Sequence, residues 1–130
     1  MRIGTVLVAS CLAFAVMPLG AQTPEVTDLM RRGTALNNAG QLDSALLVYQ
    51  QAAKLAPDVY NIHEGIGSIL DLTGRYGEAR MHLAKALDLA PARAKINVLR
   101  TIAISYAFER KADSAASYER RAYEIGRAHV

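Results

Sequence analysis

Few side chains in this chain can do chemistry, and their spacing decides what they could do. His63 and His82 carry imidazoles that could serve as a general base or hold a metal ion. Neither stands at a spacing that builds a metal site or a catalytic triad. Glu78 lies four residues before His82, which on a helix reads as a surface contact. His63 reads as a packed histidine. The hydroxyls of Ser44, Ser68, Ser105, Ser114 and Ser117 have no nucleophile motif around them, and no glycine loop is arranged to cradle a phosphate. The one cysteine, Cys11, falls in a leader segment, so the rest of the chain has no disulfide, thiol nucleophile or thiolate ligand. The chain is expected to be non-enzymatic, with no catalytic residues, no metal, no other cofactor and no small-molecule substrate.

The glycines and alanines are organised differently, at a fixed period. Gly33, Leu36, Gly40, Ala45, Ala52, Leu55, Ala56 and Pro57 recur 34 residues later as Gly67, Leu70, Gly74, Ala79, Ala86, Leu89, Ala90 and Pro91. Self-similarity at such a period marks an array of identical supersecondary units. Each unit reads helix, tight turn, helix, stop. Leu29, Gly33 and Leu36 share one face of a first helix, and Gly40 ends it in a position suited to left-handed backbone. A second helix is expected from about Leu42 to Leu55, with Ala45, Tyr49 and Ala52 on its inner stripe. Pro57 blocks its continuation, because proline has no amide donor and clashes with the preceding turn. A third unit is present with a slip of two residues: Asp113-Ser114-Ala115 repeats Asp43-Ser44-Ala45 70 residues on. An insertion near Ala94-Lys95 accounts for it. In this unit Ala103 replaces the glycine, Glu119 the aromatic and Arg127 the proline, while Ala115 and Ala122 keep their places.

This pattern resembles the tetratricopeptide repeat, a 34-residue helical hairpin. The resemblance covers nearly all of the chain beyond its leader, in units of about 26–59, 60–93 and 96–129. It implies an all-α solenoid of three helix-turn-helix repeats, stacked as a right-handed superhelix because one hairpin cannot bury its own apolar face. Gly33, Ala45, Tyr49, Ala52, Pro57, Gly67, Ala79, Ala86, Pro91, Ala103, Ala115 and Ala122 are the packing positions it implies. The first helices of each repeat would line a concave groove. Its positions fall on Met30, Thr34 and Asn37, then Asn61, Glu64, Ser68 and Asp71, then Asn97, Arg100, Ile104 and Phe108. Amide side chains such as Asn37 and Asn61 offer both a donor and an acceptor to an extended peptide. Glu64 and Asp71 would favour a basic or neutral ligand. One variant of the family grips a C-terminal carboxylate, but the matching positions here, Met30, Thr34, Gly65, Asn97 and Thr101, carry no positive charge. The resemblance implies a protein or peptide partner and a role as adaptor or scaffold. The alternative is a self-assembling module, a homo-oligomer using an uncapped third repeat where Tyr118, Tyr123 and Ile125 are partly open.

Arg2, an apolar run from Ile3 to Met17, and Gly20-Ala21 before Gln22 fit a secretory signal peptide over residues 1–21, leaving 22–130 as the repeat domain. A periplasmic or secreted protein is expected. Two alternatives stay open: an uncleaved membrane anchor, and lipidation at Cys11 within Val8-Ala9-Ser10-Cys11. A membrane is a partner only in those cases. The net charge, +3 for the 130 residues, is too mild to suggest nucleic acid.

Overall fold

A computed structural model describes residues 23–128, which fold into six α-helices. They are α1 (Pro24–Asn38), α2 (Leu42–Leu55), α3 (Tyr60–Leu72), α4 (Tyr76–Leu89), α5 (Ala92–Phe108) and α6 (Ala112–Ala128). The leader lies outside the described residues. Consecutive pairs form three antiparallel hairpins, α1/α2, α3/α4 and α5/α6, and each hairpin packs on the next. Thr23 caps α1, its Oγ1 accepting the Val26 amide at 3.2 Å, with Pro24 at the first helical position.

All three hairpin turns use the same device. The chain ends its first helix with one left-handed residue, and two backbone bonds close around it: Gly40 N–H to Asn37 O and Gln41 N–H to Leu36 O in the first turn. Gly74 with Arg75, and Arg110 with Lys111, repeat the arrangement. Gly40 and Gly74 hold φ of 73° and 78°, which glycine adopts freely. The third turn holds φ of 58° with an arginine, the only non-glycine with positive φ among the described residues. The two-residue slip also has a structural counterpart. Two residues separate Pro57 from α3, whereas α5 starts directly after Pro91, giving it 17 residues against 13 for α3. The insertion is absorbed as extra helix.

The core runs along the inner faces of the hairpins. Ala45, Ala52, Ala79 and Ala86 are fully buried, and Ile62, Ile66, Ile69, Leu83, Val98 and Leu99 fill the space between repeats. Small residues let the helices close up. A methyl placed on Gly33 would sit 2.7 Å from the Tyr49 ring, and one on Gly67 2.6 Å from Leu83. Gly65, which periodicity does not single out, does the same on the other side: a methyl there would meet Tyr49 Cε1 at 2.6 Å. The Tyr49 ring therefore lies between a glycine of its own repeat and a glycine of the next. Its hydroxyl is fixed by Thr34 Oγ1 at 2.9 Å. Ala103 and Ala122 are buried as expected of packing positions, while Ala115 is only half-buried and Pro57 and Pro91 are exposed in the turns.

The two histidines belong to this scaffold. His63 is buried; its Nε2–H donates to the Pro57 carbonyl at 2.7 Å, which leaves Nδ1 free to accept from His82 Nδ1–H at 3.1 Å. The pair ties the loop between α2 and α3 to α4. The expected contact of His82 with Glu78 is not formed, because Arg75 takes both Glu78 oxygens at 2.8 and 2.6 Å. Burial, then the neighbouring His63 and Lys85, push the His82 imidazole below its ordinary value, against a smaller opposing pull from Glu78.

Three outcomes follow from these contacts. Arg110→Gly relieves the left-handed arginine, and after allowing for the freedom glycine adds to the unfolded chain, stability rises by roughly 0.5–1 kcal/mol in a thermal melt. Gly65→Ala lowers stability despite a better helix former, because about 1–3 kcal/mol of overpacking outweighs about 1 kcal/mol of propensity. That penalty shrinks in a Tyr49→Leu background, read as a denaturant double-mutant cycle. Thirdly, a histidine with a depressed folded pKa binds its proton more readily when unfolded. Its stabilising contribution is complete above about pH 6.5 and is lost as pH falls below that towards the folded value. Melting temperature therefore drops on mild acidification, and His82→Gln flattens that drop.

Candidate functional site

The odd-numbered helices form one continuous face. α1 packs against α3 and α3 against α5, whereas no Cα atoms of α2, α4 and α6 come within 8 Å of one another. The odd layer is the tighter one, so the array curves with α1, α3 and α5 on its inner side. All eleven sequence-predicted groove residues lie on these three helices, and they fall into three zones.

The first zone, between α1 and α3, is polar, and the Thr34 hydroxyl is already engaged by the Met30 carbonyl at 3.0 Å and the Tyr49 hydroxyl at 2.9 Å. Thr34 is exposed, Met30 leans on the core, and Asn37 and Asn61 are half-buried. The Oδ1 atoms of Asn37 and Asn61 have no hydrogen-bond partner in the protein. A sheltered acceptor without a partner calls for one.

The second zone, between α3 and α5, is cross-linked. Asp71 departs from its expected place: it is 5% exposed, and its Oδ1 accepts the Ser105 hydroxyl at 2.7 Å. Its carboxylate holds α3 to α5 and is not offered to a basic ligand. Burial pushes the Asp71 carboxyl up, while the Ser105 bond and Arg80 pull it down. Glu64 is likewise engaged, with Oε1 3.0 Å from Thr101 Oγ1, which also lies 3.1 Å from the Asn97 carbonyl. Ser68 turns its hydroxyl back to the Glu64 carbonyl at 2.9 Å. At the outer edge of the same joint Arg80 reaches Glu109 at 3.0 Å and lies over the Tyr106 ring, and Lys111 also binds Glu109. These two cations hold the Glu109 carboxyl below the usual range. Ser105, Thr101, Arg80 and Glu109 do not stand out from single residues.

The third zone runs along α5. Asn97 and Arg100 are exposed, and Ile104 and Phe108 form an apolar step, 52% and 48% exposed. Tyr76 stacks on Phe108 with ring centroids 6.5 Å apart. The face thus offers amides at one end, apolar surface at the other and a braced middle. Among the described residues, no three His, Cys, Asp or Glu side chains come together as a metal-binding group.

The repeat model with the description "Tetratricopeptide repeat" matches residues 29–59 and 60–93, together half of the chain. The third hairpin, with its replaced glycine, aromatic and proline, lies outside these matches. Solved structures of MamA share the fold. One designated AMB-1 is 26% identical with a TM-score of 0.69, covering 81% of this chain and 61% of that one. Another, designated MSR-1, is 25% identical with a TM-score of 0.70, covering 81% and 59%. MamA from Desulfovibrio magneticus RS-1 superposes with a TM-score of 0.73 at 20% identity over 81% of this chain and 58% of that one, a likeness of fold alone. The chain spans about three fifths of the length of these structures. Comparison with curated protein sequences gives no match. The 34-residue period, the three hairpins with their common turn, and the repeat match agree that this chain belongs to the tetratricopeptide repeat family.

Proposed function

We propose that this protein is a binding module of the bacterial cell envelope or secreted space that holds an extended segment of another protein along α1, α3 and α5. The tetratricopeptide repeat scaffold supports a role in protein interaction. One observation carries the choice of face: the Oδ1 atoms of Asn37 on α1 and Asn61 on α3 are sheltered from solvent and have no hydrogen-bond partner in the protein. An extended peptide supplies a backbone N–H and C=O at each residue, and a primary amide can pair with both. The apolar step at Ile104 and Phe108 then receives a hydrophobic side chain further along the same segment. Since Glu64 and Asp71 are spent on α5, selection by negative charge is weak, and recognition rests on backbone pairing and that apolar step. The segment from Arg2 to Ala21, read as a signal peptide, supports a location outside the cytoplasm. No helix among the described residues is long and apolar enough to span a membrane.

The test is affinity recovery from an envelope extract, followed by titration of the recovered protein. The native chain is expected to retain a distinct partner. Asn37→Ala with Asn61→Ala, which removes two net hydrogen bonds of about 1 kcal/mol each, weakens binding by about tenfold or more with no loss of thermal stability. Equal binding by the native and double-variant chains would sink the assignment of this face.

A further inference from the structure

The outward face of the third hairpin is built to receive something. In the first repeat, Val26, Ala52, Ala53 and Ala56 form a socket packed with Ile62 of the next helix, which is fully buried. In the second, Tyr60, Ala86, Leu87 and Ala90 do the same with Val98. The equivalent residues of the third are Ile96, Ala122, Tyr123 and Gly126, which with Arg100 and Arg127 line an open furrow between α5 and α6. No described helix enters it. Ile96 is half-buried, Tyr123 is 64% exposed, and a methyl on Gly126 would meet only Ile96 Cδ1 at 3.9 Å.

Charge selects the occupant. The first helix of a second copy, docked head to tail, would bring Asp28 and Arg31 to the positions where α3 carries Ile62 and Gly65. These two form an exposed ion pair at 2.6 Å, and burying it in an apolar socket is unfavourable. That end of the array is closed to stacking. The face of α6 is different, because it complements itself. Glu119, Tyr123 and Arg127 stand four residues apart on one exposed stripe. An antiparallel helix with its two-fold axis at Tyr123 places Glu119 against the partner's Arg127 and Arg127 against the partner's Glu119. The existing intrachain contacts leave both charges available: Arg100 stands 4.0 Å from Glu119 with both side chains exposed, and Arg127 lies 5.9 Å over the Tyr123 ring.

We propose that a second copy of this chain covers this face, through two-fold antiparallel pairing of the C-terminal halves of α6. Each Tyr123 ring seats over Gly126 and Ile96 of the other copy, the same tyrosine-on-glycine packing that Tyr49 makes with Gly33 and Gly65 within the array. The contact is isologous, so it closes at a dimer and does not propagate into a fibre. Since half a helix from each copy makes it, the pairing is small and depends on concentration. It leaves α1, α3 and most of the inner face free.

Sedimentation equilibrium on the purified chain tests this, with circular dichroism confirming unchanged helix content in each variant. The native chain is expected to show a monomer–dimer equilibrium. Glu119→Arg alone and Arg127→Glu alone each set like charges opposite one another twice per dimer and raise Kd by about tenfold or more. An equimolar mixture of the two single variants restores association, because both cross-contacts then pair opposite signs, and so does the double variant in one chain. A native chain that stays monomeric at the highest attainable concentration overturns the proposal. So does a dimer indifferent to the single substitutions, or a mixture that fails to recover.

Discussion

A tyrosine ring held between two glycines sets the spacing on which the array depends. Tyr49 projects from α2 into a gap that exists only because Gly33 and Gly65 have no side chain. One contact therefore closes a hairpin and joins it to the next, so intra-repeat and inter-repeat packing are not separable there. The four fully buried alanines work to the same end. Helices that approach this closely lose the tolerance of a looser core, since an added methyl has no free volume to enter. In the second repeat Leu83 takes the place of the ring over Gly67. In the third, Glu119 occupies the equivalent position and points outward, and the hairpin closes by stacking Tyr118 on Tyr106 at 5.4 Å.

The chemistry of the joints changes along the chain. The first joint is predominantly apolar, with Tyr49, Ile62, Ile66 and Ile69 in one cluster. The second adds Asp71 to Ser105, Glu64 to Thr101 and Arg80 to Glu109. Apolar contacts are non-directional and tolerate small shifts, whereas a buried carboxylate bonded to one hydroxyl fixes register. This is why residues that pattern alone assigns to a ligand face turn out to hold α3 and α5 together.

How much of this could be read from sequence follows from what each feature depends on. The period, the hairpins and the packing stripe are local and repeated, so Gly33, Ala45, Gly67 and Ala79 declare themselves by recurrence. The turn glycines do the same through the backbone conformation they permit. Gly65 does not recur, since its role comes from a ring in another helix. Asp71 sits at the end of a helix where a solvent-facing acid looks ordinary, and only the presence of Ser105 on the neighbouring helix makes it a buried acceptor. His82 follows the same rule: Glu78 was within reach along its own helix, but Arg75 competes for that carboxylate and His63 for the imidazole. Tyr123 is open, as expected of the third repeat, but the furrow it shares with Ile96 and Gly126 is made by two helices together and no single residue announces it.

The unequal contact between layers has a mechanical consequence. The odd helices touch in series while the even ones stand apart. The even helices are tied into the array all the same, α2 through α3 and α4 through α5. Every close approach between one repeat and the next therefore involves an odd helix, and the inner layer is the spine through which load passes along the array.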